Sequence, residues 1–281
     1  MRIPFTKMHG IGNDYVYVDG FEVKLADPAE VARRVSPRHV GIGSDGLIVI
    51  QPSETADCRM EMYNADGSRG EMCGNGVRCV GKLVWERGIA RRNPLRVETD
   101  AGVKTLELVV NGDRVTQVTV DMGEPVLEPA RIPVRAEGTR IVDAPLEVAG
   151  RTWRITCVSM GNPHCVVFVP EVSSLDLPAI GPRFERHELF PKRVNTEFVR
   201  VISRNELEMR VWERGSGETQ ACGTGACAVA VAGILTERTD RAVVIHLLGG
   251  DLAIEWRESD GHVHMRGEAV EVFRGDIELP S

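Results

Sequence analysis

The chain has 281 residues, 42% apolar and 27% charged, with a formal charge of −7, an ordinary globular composition long enough for two domains with substantial cores. The acid excess, and the lack of a Lys/Arg-rich stripe or an aromatic-interleaved basic patch, exclude a typical nucleic-acid surface. Seven cysteines without a CxxC pair do not form a secreted disulfide framework, the opening MRIPFTKMHGIGND has no signal-peptide core, and no stretch reaches the roughly 18 apolar residues of a membrane span. A cytoplasmic protein with neither membrane nor nucleic-acid partner is expected.

Arg2 to Met8 and Tyr15 to Asp19 read as strands joined by the loop His9 to Asp14. From Pro28, the spacing of Val31, Ala32 and Val35 predicts a helix ending before Pro37. Gly41-Ile42-Gly43-Ser44-Asp45-Gly46 has the spacing of a dinucleotide-binding loop, but a helix precedes it and the strand LIVI follows, the reverse of what that loop requires. RMEMY is a strand, Asn64 to Ser68 supplies turn chemistry, and a helix then carries Val77, Val80, Leu83 and Val84 toward a core before stopping near Gly88. LRVET, KTLELVV and RVTQVTVDM are successive strands, and Gly123 to Pro133, with three prolines, reads as a linker. Beyond it come RTWRITCVS and CVVFV, a Pro-flanked connection read as poor in helix, NTEFVRVIS and LEMRVWERG. The helix Gly225 to Leu235 is apolar on every side and therefore buried all round. Strands must wrap it, so the fold expected is α/β (α+β), each module a curved sheet or barrel around a central helix. The strands AVVIHLL, DLAIEW, HVHMRG and AVEVF complete the sheets, the last returning to the first module. The domains expected are 1–122, joined by 268–281, and 123–267.

One phrase occurs twice. Cys73-Gly74-Asn75-Gly76 and Cys222-Gly223-Thr224-Gly225 each open an apolar run, 149 residues apart. The same offset carries Gly12-Asn13 onto Gly161-Asn162, Gly46 onto Asn195, and Asn64 onto Glu213. A repeat of half the chain implies two similar modules rather than a solenoid.

Each copy puts a thiol at a helix start, where unpaired backbone N–H groups and the macrodipole favour negative charge. A readily ionised thiol is the expectation. Two such ends facing each other make a two-thiol anion site. Removing a proton from a carbon beside a carboxylate and returning it on the opposite face needs a base and an acid of the same kind, which a thiolate and a thiol supply without a cofactor. The N–H groups of Gly74, Asn75, Gly223 and Thr224 are placed to stabilise the enolate-like charge. Asn13, Asn64, Asn162, Asn195, Glu213 and Arg214 are candidates to hold the amino and carboxylate groups of an amino acid. His164 can orient a thiol or relay its proton.

The segments HGIGNDY, YNADGSRGEMCGNGVRC, GNPHCV and ERGSGETQACGTGACA, in this order across essentially the whole chain, resemble those of the diaminopimelate epimerase family. The resemblance implies a cofactor-independent isomerase interconverting LL- and meso-2,6-diaminopimelate, on a route to lysine and peptidoglycan precursors. It also implies two pseudo-symmetric α/β domains with the site in the cleft, Cys73 and Cys222 as the catalytic bases, His164 and Glu213 as residues assisting the thiols, and a homodimer. The substrate contacts it implies are Asn13, Asn64, Gly74, Asn75, Asn162, Asn195, Glu213, Arg214, Gly223 and Thr224, with Phe273 at the dimer interface. Many members carry a substrate-touching Gln where this chain has Gly46, so Gly46 is left out of the site.

Simpler readings apply to the other cysteines: Cys58, Cys79, Cys157, Cys165 and Cys227 are small buried hydrophobes. The pairs Cys73/Cys79 and Cys222/Cys227 do not share a helix face, so no metal site is expected. A Cys73–Cys222 disulfide that reversibly inactivates the enzyme stays open. So do two rival functions, a proline or hydroxyproline racemase-like enzyme and a non-catalytic amino-acid-binding thiol sensor. The other histidines, at 9, 39, 187, 246, 262 and 264, lack a repeated counterpart and read as structural or surface.

Overall fold

The computed structural model describes residues 2–279. The chain separates into two compact units, residues 2–121 with 266–279, and Met122–Met265.

In the first unit the order is β1 (Arg2–Gly10), β2 (Asn13–Asp19), α1 (Pro28–Val35), β3 (Gly46–Gln51), β4 (Cys58–Asn64), β5 (Arg69–Gly70), α2 (Gly74–Glu86), β6 (Leu95–Thr99), β7 (Gly102–Asn111) and β8 (Arg114–Asp121). The second repeats it after one extra strand: β9 (Ala144–Val148), β10 (Arg151–Ser159), β11 (Pro163–Phe168), α3 (Leu177–Glu185), β12 (Asn195–Ser203), β13 (Glu206–Glu213), β14 (Gly217–Glu218), α4 (Gly223–Leu235), β15 (Ala242–Leu247) and β16 (Gly250–Trp256). The division between units falls within β17 (Val263–Gly267), and β18 (Val270–Glu278) pairs antiparallel with β1.

Strand pairing shows that the duplication is structural. In the first unit β2 and β3 run parallel with Tyr15 opposite Gly46, and β3 and β4 antiparallel with Leu47 opposite Tyr63. In the second, β11 and β12 run parallel with His164 opposite Asn195, and β12 and β13 antiparallel with Thr196 opposite Trp212. Both pairs keep the 149 offset. Past the central helix the second copy is one residue shorter, since Cys58 opposes Val97 in parallel β4/β6 and Leu207 opposes Ile245 in β13/β15.

Each sheet holds helices on both faces, and the strands alternate accordingly. Val16, Val18, Leu47 and Val49 bury one face against α1, with Ala32 and Val35. The other face meets α2, whose Val77, Val80, Leu83 and Val84 are all buried, and Tyr17 donates its hydroxyl to the Gly76 carbonyl at 3.2 Å. In the second unit Trp153, Phe184 and Phe198 pack edge to face on the α3 side, with ring centroids 5.4–6.0 Å apart. α4 lies on the opposite face, enclosed by β10, β11, β12, β15 and β16. Its residues from Ala226 to Ala232 are fully buried, as a helix without a polar stripe requires.

Three local expectations are corrected. The loop His9 to Asp14 is only a two-residue turn, because Ile11 and Gly12 both take positive φ (47° and 86°) and let the strands run to Gly10 and from Asn13. The connection read as poor in helix contains α3. Asp176 caps it by accepting from Ala179 N, Pro178 sits in the first turn where no N–H is needed, and only Pro182 interrupts it. The stretch from Gly123 to Pro133 is bound rather than free: Val126 bridges Ser159, and Ile132 is buried in the second core.

Among the described residues no helix is long and apolar enough to cross a membrane.

Candidate active site

Cys73 is the N-cap of α2. Its backbone is extended (φ −128°, ψ 119°), its sulfur accepts from Gly76 N at 3.4 Å, and its thiol donates to Asn13 Oδ1 at 3.1 Å. Asn13, at the start of β2, is held in turn: Nδ2 donates to Asp45 Oδ2 at 2.7 Å, and Asp45 Oδ1 accepts from Arg38 at 2.9 Å. The first intrahelical bond is Val77 N to Cys73 O, so the N–H groups of Gly74 and Asn75 precede the helical ladder. Asn75 is 3% exposed and its Oδ1 has no hydrogen-bond partner. A buried acceptor left bare costs free energy, so this oxygen is open to a donor brought in by a ligand. Asn64, the last residue of β4, donates to Ser68 Oγ at 3.0 Å. Gly46 lies beside it in the sheet, where a Cβ would fall 2.1 Å from the Tyr63 carbonyl oxygen. A side chain here requires a shift of backbone.

The second half-site has the same frame and different chemistry. Cys222 is the N-cap of α4 (φ −127°, ψ 103°), 3.6 Å from Thr224 Oγ1, and the ladder again begins four residues on, with Ala226 N to Cys222 O. Gly223 and Thr224 form the first turn. Glu213 ends β13 and accepts from Cys222 and from Thr219 Oγ1. His164 on β11 is wholly buried, with Nε2 3.0 Å from Asn162 Oδ1 and Nδ1 2.7 Å from Glu197 Oε1. Asn195 is committed to the backbone, donating to Pro163 O at 3.2 Å and accepting from Arg214 N at 2.9 Å. It ties the turn that carries Arg214 to the end of β11. The Arg214 side chain reaches Lys192 O at 3.3 Å in an exposed position.

The expectation of easily ionised thiols is corrected. Burial pushes the Cys73 thiol up, against the N–H groups of Gly76 and Asn75, the Tyr15 hydroxyl and the Arg78 charge. The Cys222 thiol lies well above the ordinary range because burial is reinforced by the Glu213 and Glu197 carboxylates. Glu213 is itself raised by burial, despite hydrogen bonds from Thr219 and Cys222. Helix-end donors thus offset desolvation without overcoming it. Of the other cysteines, Cys58, Cys79, Cys157, Cys165 and Cys227 are buried, and burial pushes Cys58 to about 12 and Cys79 to about 11. Among the described residues no cysteine is in a disulfide.

Glu197 is the site residue that the sequence reading missed. Its position is Ile48 plus 149, and a Glu between Thr196 and Phe198, where the first module has an apolar strand residue, was the available signal. One atom each of His164, Glu197 and Cys222 lie within 4.8 Å of one another, a set of metal-ligating type. Both imidazole nitrogens are already engaged, so the group is organised as a hydrogen-bonded dyad beside a thiol.

The fold is one shared with solved structures of isomerases and of phenazine biosynthesis proteins. Solved structures similar to this chain include a phenazine biosynthesis protein of the PhzF family from Enterococcus faecalis (TM-score 0.72, 11% identity, 99% of this chain and 100% of that one). A probable proline racemase from Agrobacterium radiobacter K84 is also similar (TM-score 0.70, 14% identity, 99% and 93%). The chain belongs to the diaminopimelate epimerase family, whose model matches residues 5–128 and 156–272. It is 56% identical over 275 residues to the diaminopimelate epimerase of Acetivibrio thermocellus, covering 98% of both chains.

Proposed function

We propose that this protein interconverts LL- and meso-2,6-diaminopimelate without a cofactor, in the formation of lysine and peptidoglycan precursors. The observation that carries the reading is the duplicated half-site: Cys73 and Cys222 each cap the first turn of a buried helix beside N–H groups that precede the helical ladder. One sulfur, as thiolate, takes the proton from the α-carbon, and the other, as thiol, delivers a proton to the opposite face. The roles exchange in the reverse direction. Acid–base transfer of this kind supplies typically 10² to 10⁴ in rate. The rest comes from holding the enolate-like charge on the carboxylate, to which each oriented N–H contributes roughly 3 kcal/mol.

In this reading Glu213 accepts the proton of Cys222 in the direction in which Cys222 is the base, its raised affinity for protons bringing it closer to the thiol. Asn13, Asn64, Asn75, Asn162, Asn195 and Arg214 orient the substrate, with Gly74, Gly223 and Thr224 contributing backbone donors. Asn195 acts through the turn it holds, and the bare Oδ1 of buried Asn75 supports an ammonium ligand. The enzyme works as a cytoplasmic homodimer. The β18 side chain of Phe273, 46% exposed and packed edge to face on Phe5 at 5.8 Å, is a fitting interface contact.

The test is a parallel assay of LL-diaminopimelate and L-proline in deuterated water, with α-carbon exchange read by proton NMR. Exchange of diaminopimelate alone is expected. Exchange of proline alone would favour the racemase reading, and tight binding of diaminopimelate without exchange would favour a sensor.

A further inference from the structure

Glu197 has no part in the mechanism just given, yet it lies in the heart of the second half-site. It is fully buried on the α4 face of β12, with Oε1 2.7 Å from Nδ1 of His164 and Oε2 without a hydrogen-bond partner. A Cβ added to Gly225 would lie 2.7 Å from Glu197 Oε1 and 3.2 Å from Cys222 Sγ, so carboxylate and sulfur line the same glycine. An interior carboxylate with one bare oxygen is costly, and the duplicated frame shows that the fold does not need it. The equivalent residue in the first module is Ile48, whose Cδ1 takes the corresponding place against Gly76.

The two thiols therefore share a scaffold and differ in charge. Around Cys73 the equivalent positions are occupied by Tyr15, Ile48 and Asn64, and buried Arg78 stands one turn further along the helix. Around Cys222 they are His164, Glu197 and Glu213, with Cys227 where Arg78 would be. Glu213 faces the sulfur from β13, His164 from β11, Glu197 from β12 and Thr224 from α4 itself. α4 also packs on β10, β15 and β16, whose buried side chains are uncharged.

We propose that Glu197 is a positioning residue that fixes the His164 imidazole between itself and Asn162 and, together with Glu213, holds Cys222 as the thiol in the resting enzyme, leaving Cys73 to provide the first thiolate. This rests on the two-thiol reading above and adds a direction to it: the resting enzyme is asymmetric in protonation although its scaffold is symmetric.

The test is the pH dependence of iodoacetamide alkylation at each cysteine, read by peptide mass spectrometry in the full-length wild type, Glu197→Gln and Glu197→Ile. The second variant restores the residue of the first module. In wild type, Cys73 alkylates with the lower midpoint. In both variants the Cys222 midpoint falls by about one pH unit or more, a roughly tenfold gain in thiolate at a given pH, while the Cys73 midpoint stays in place. An unmoved or raised Cys222 midpoint overturns the proposal. So do both midpoints falling together, which signals a loosened fold, and failure of both variants to fold, which makes Glu197 purely structural. Epimerisation is assayed on the same wild-type preparation: its absence sinks the two-thiol reading, whereas an active enzyme with an unmoved Cys222 midpoint sinks this inference alone.

Discussion

Asp45 Oδ2 accepts from Asn13 Nδ2 at 2.7 Å, and this bond decides which end of the Asn13 amide meets the Cys73 thiol. With the nitrogen turned to Asp45, the oxygen is left to accept from sulfur at 3.1 Å. Replacing Asp45 by Asn frees the amide to turn, and kcat/KM is expected to fall on the order of tenfold, the value of a hydrogen bond of about 1.4 kcal/mol. Burial, reinforced by the nearby Asp14 charge, holds the Asp45 carboxyl above its ordinary value. It therefore protonates at a higher pH than a free Asp and loses acceptor strength there. The wild-type rate profile should show an acid limb from this group that Asp45→Asn lacks; identical profiles would exclude the link.

Glu213 sets activity against stability. Its folded-state proton affinity is raised by burial, so the unfolded chain releases that proton at lower pH. Stability is thus lost as pH rises from the unfolded value through the folded one, and at neutral pH the carboxylate is a burden on the fold. Glu213→Gln is expected to raise Tm at pH 7 by about 2–4 °C while lowering kcat by at least about 10². The Tm gain should vanish below the pH at which free Glu is protonated. Differential scanning calorimetry at both pH values, with steady-state kinetics, checks the two halves.

The helix α3 supports the site from a distance. Its last residue, Glu185, is 4% exposed and accepts from Trp212 Nε1 at 2.9 Å and Gly215 N at 3.1 Å, clasping the turn that follows Glu213. Glu185→Ala leaves both donors without their partner, a cost of about 1–3 kcal/mol each where water cannot reach. A lower urea midpoint with unchanged m-value is expected, together with a raised KM if Arg214 holds the substrate as proposed. A stability loss with unaltered KM would confine Glu185 to the fold.

Phe273 tests the assembly. With Val272 it forms an exposed apolar pair on β18, 46% and 54% accessible. If the chain forms the proposed homodimer through this face, Phe273→Glu should sediment as monomer in sedimentation velocity at micromolar concentration where wild type sediments as dimer, and an equal sedimentation coefficient for a dimeric wild type and the variant would place the interface elsewhere.

The fold was legible where one residue pattern served one purpose. α4 announced itself because the all-apolar run Gly225 to Leu235 has to be enclosed, and the 149 offset announced the duplication because frame and spacing were both kept. α3 was hidden by Pro178 and Pro182, which read as breakers until Asp176 is seen to cap a helix whose first turn accepts proline. Glu197 escaped because it lies inside a strand, outside the Gly-Asn and Cys-Gly segments, and its counterpart, Ile48, is apolar. The acidity of the thiols was misread for a different reason. The helix-end donors are local and visible in the sequence, whereas the desolvation that outweighs them depends on what packs over the sulfur.

The central claim is that two thiols, one from each module, divide a single proton inversion, and isotope exchange in the single-cysteine variants tests it most directly. Wild type, Cys73→Ala and Cys222→Ala are incubated with LL-diaminopimelate in deuterated water, and both deuterium uptake at the α-carbon and formation of the meso isomer are followed. Wild type is expected to do both, and each variant, still folded by circular dichroism, to lose meso formation by at least about 10³. Formation of the meso isomer at near wild-type rate by either variant would contradict the account.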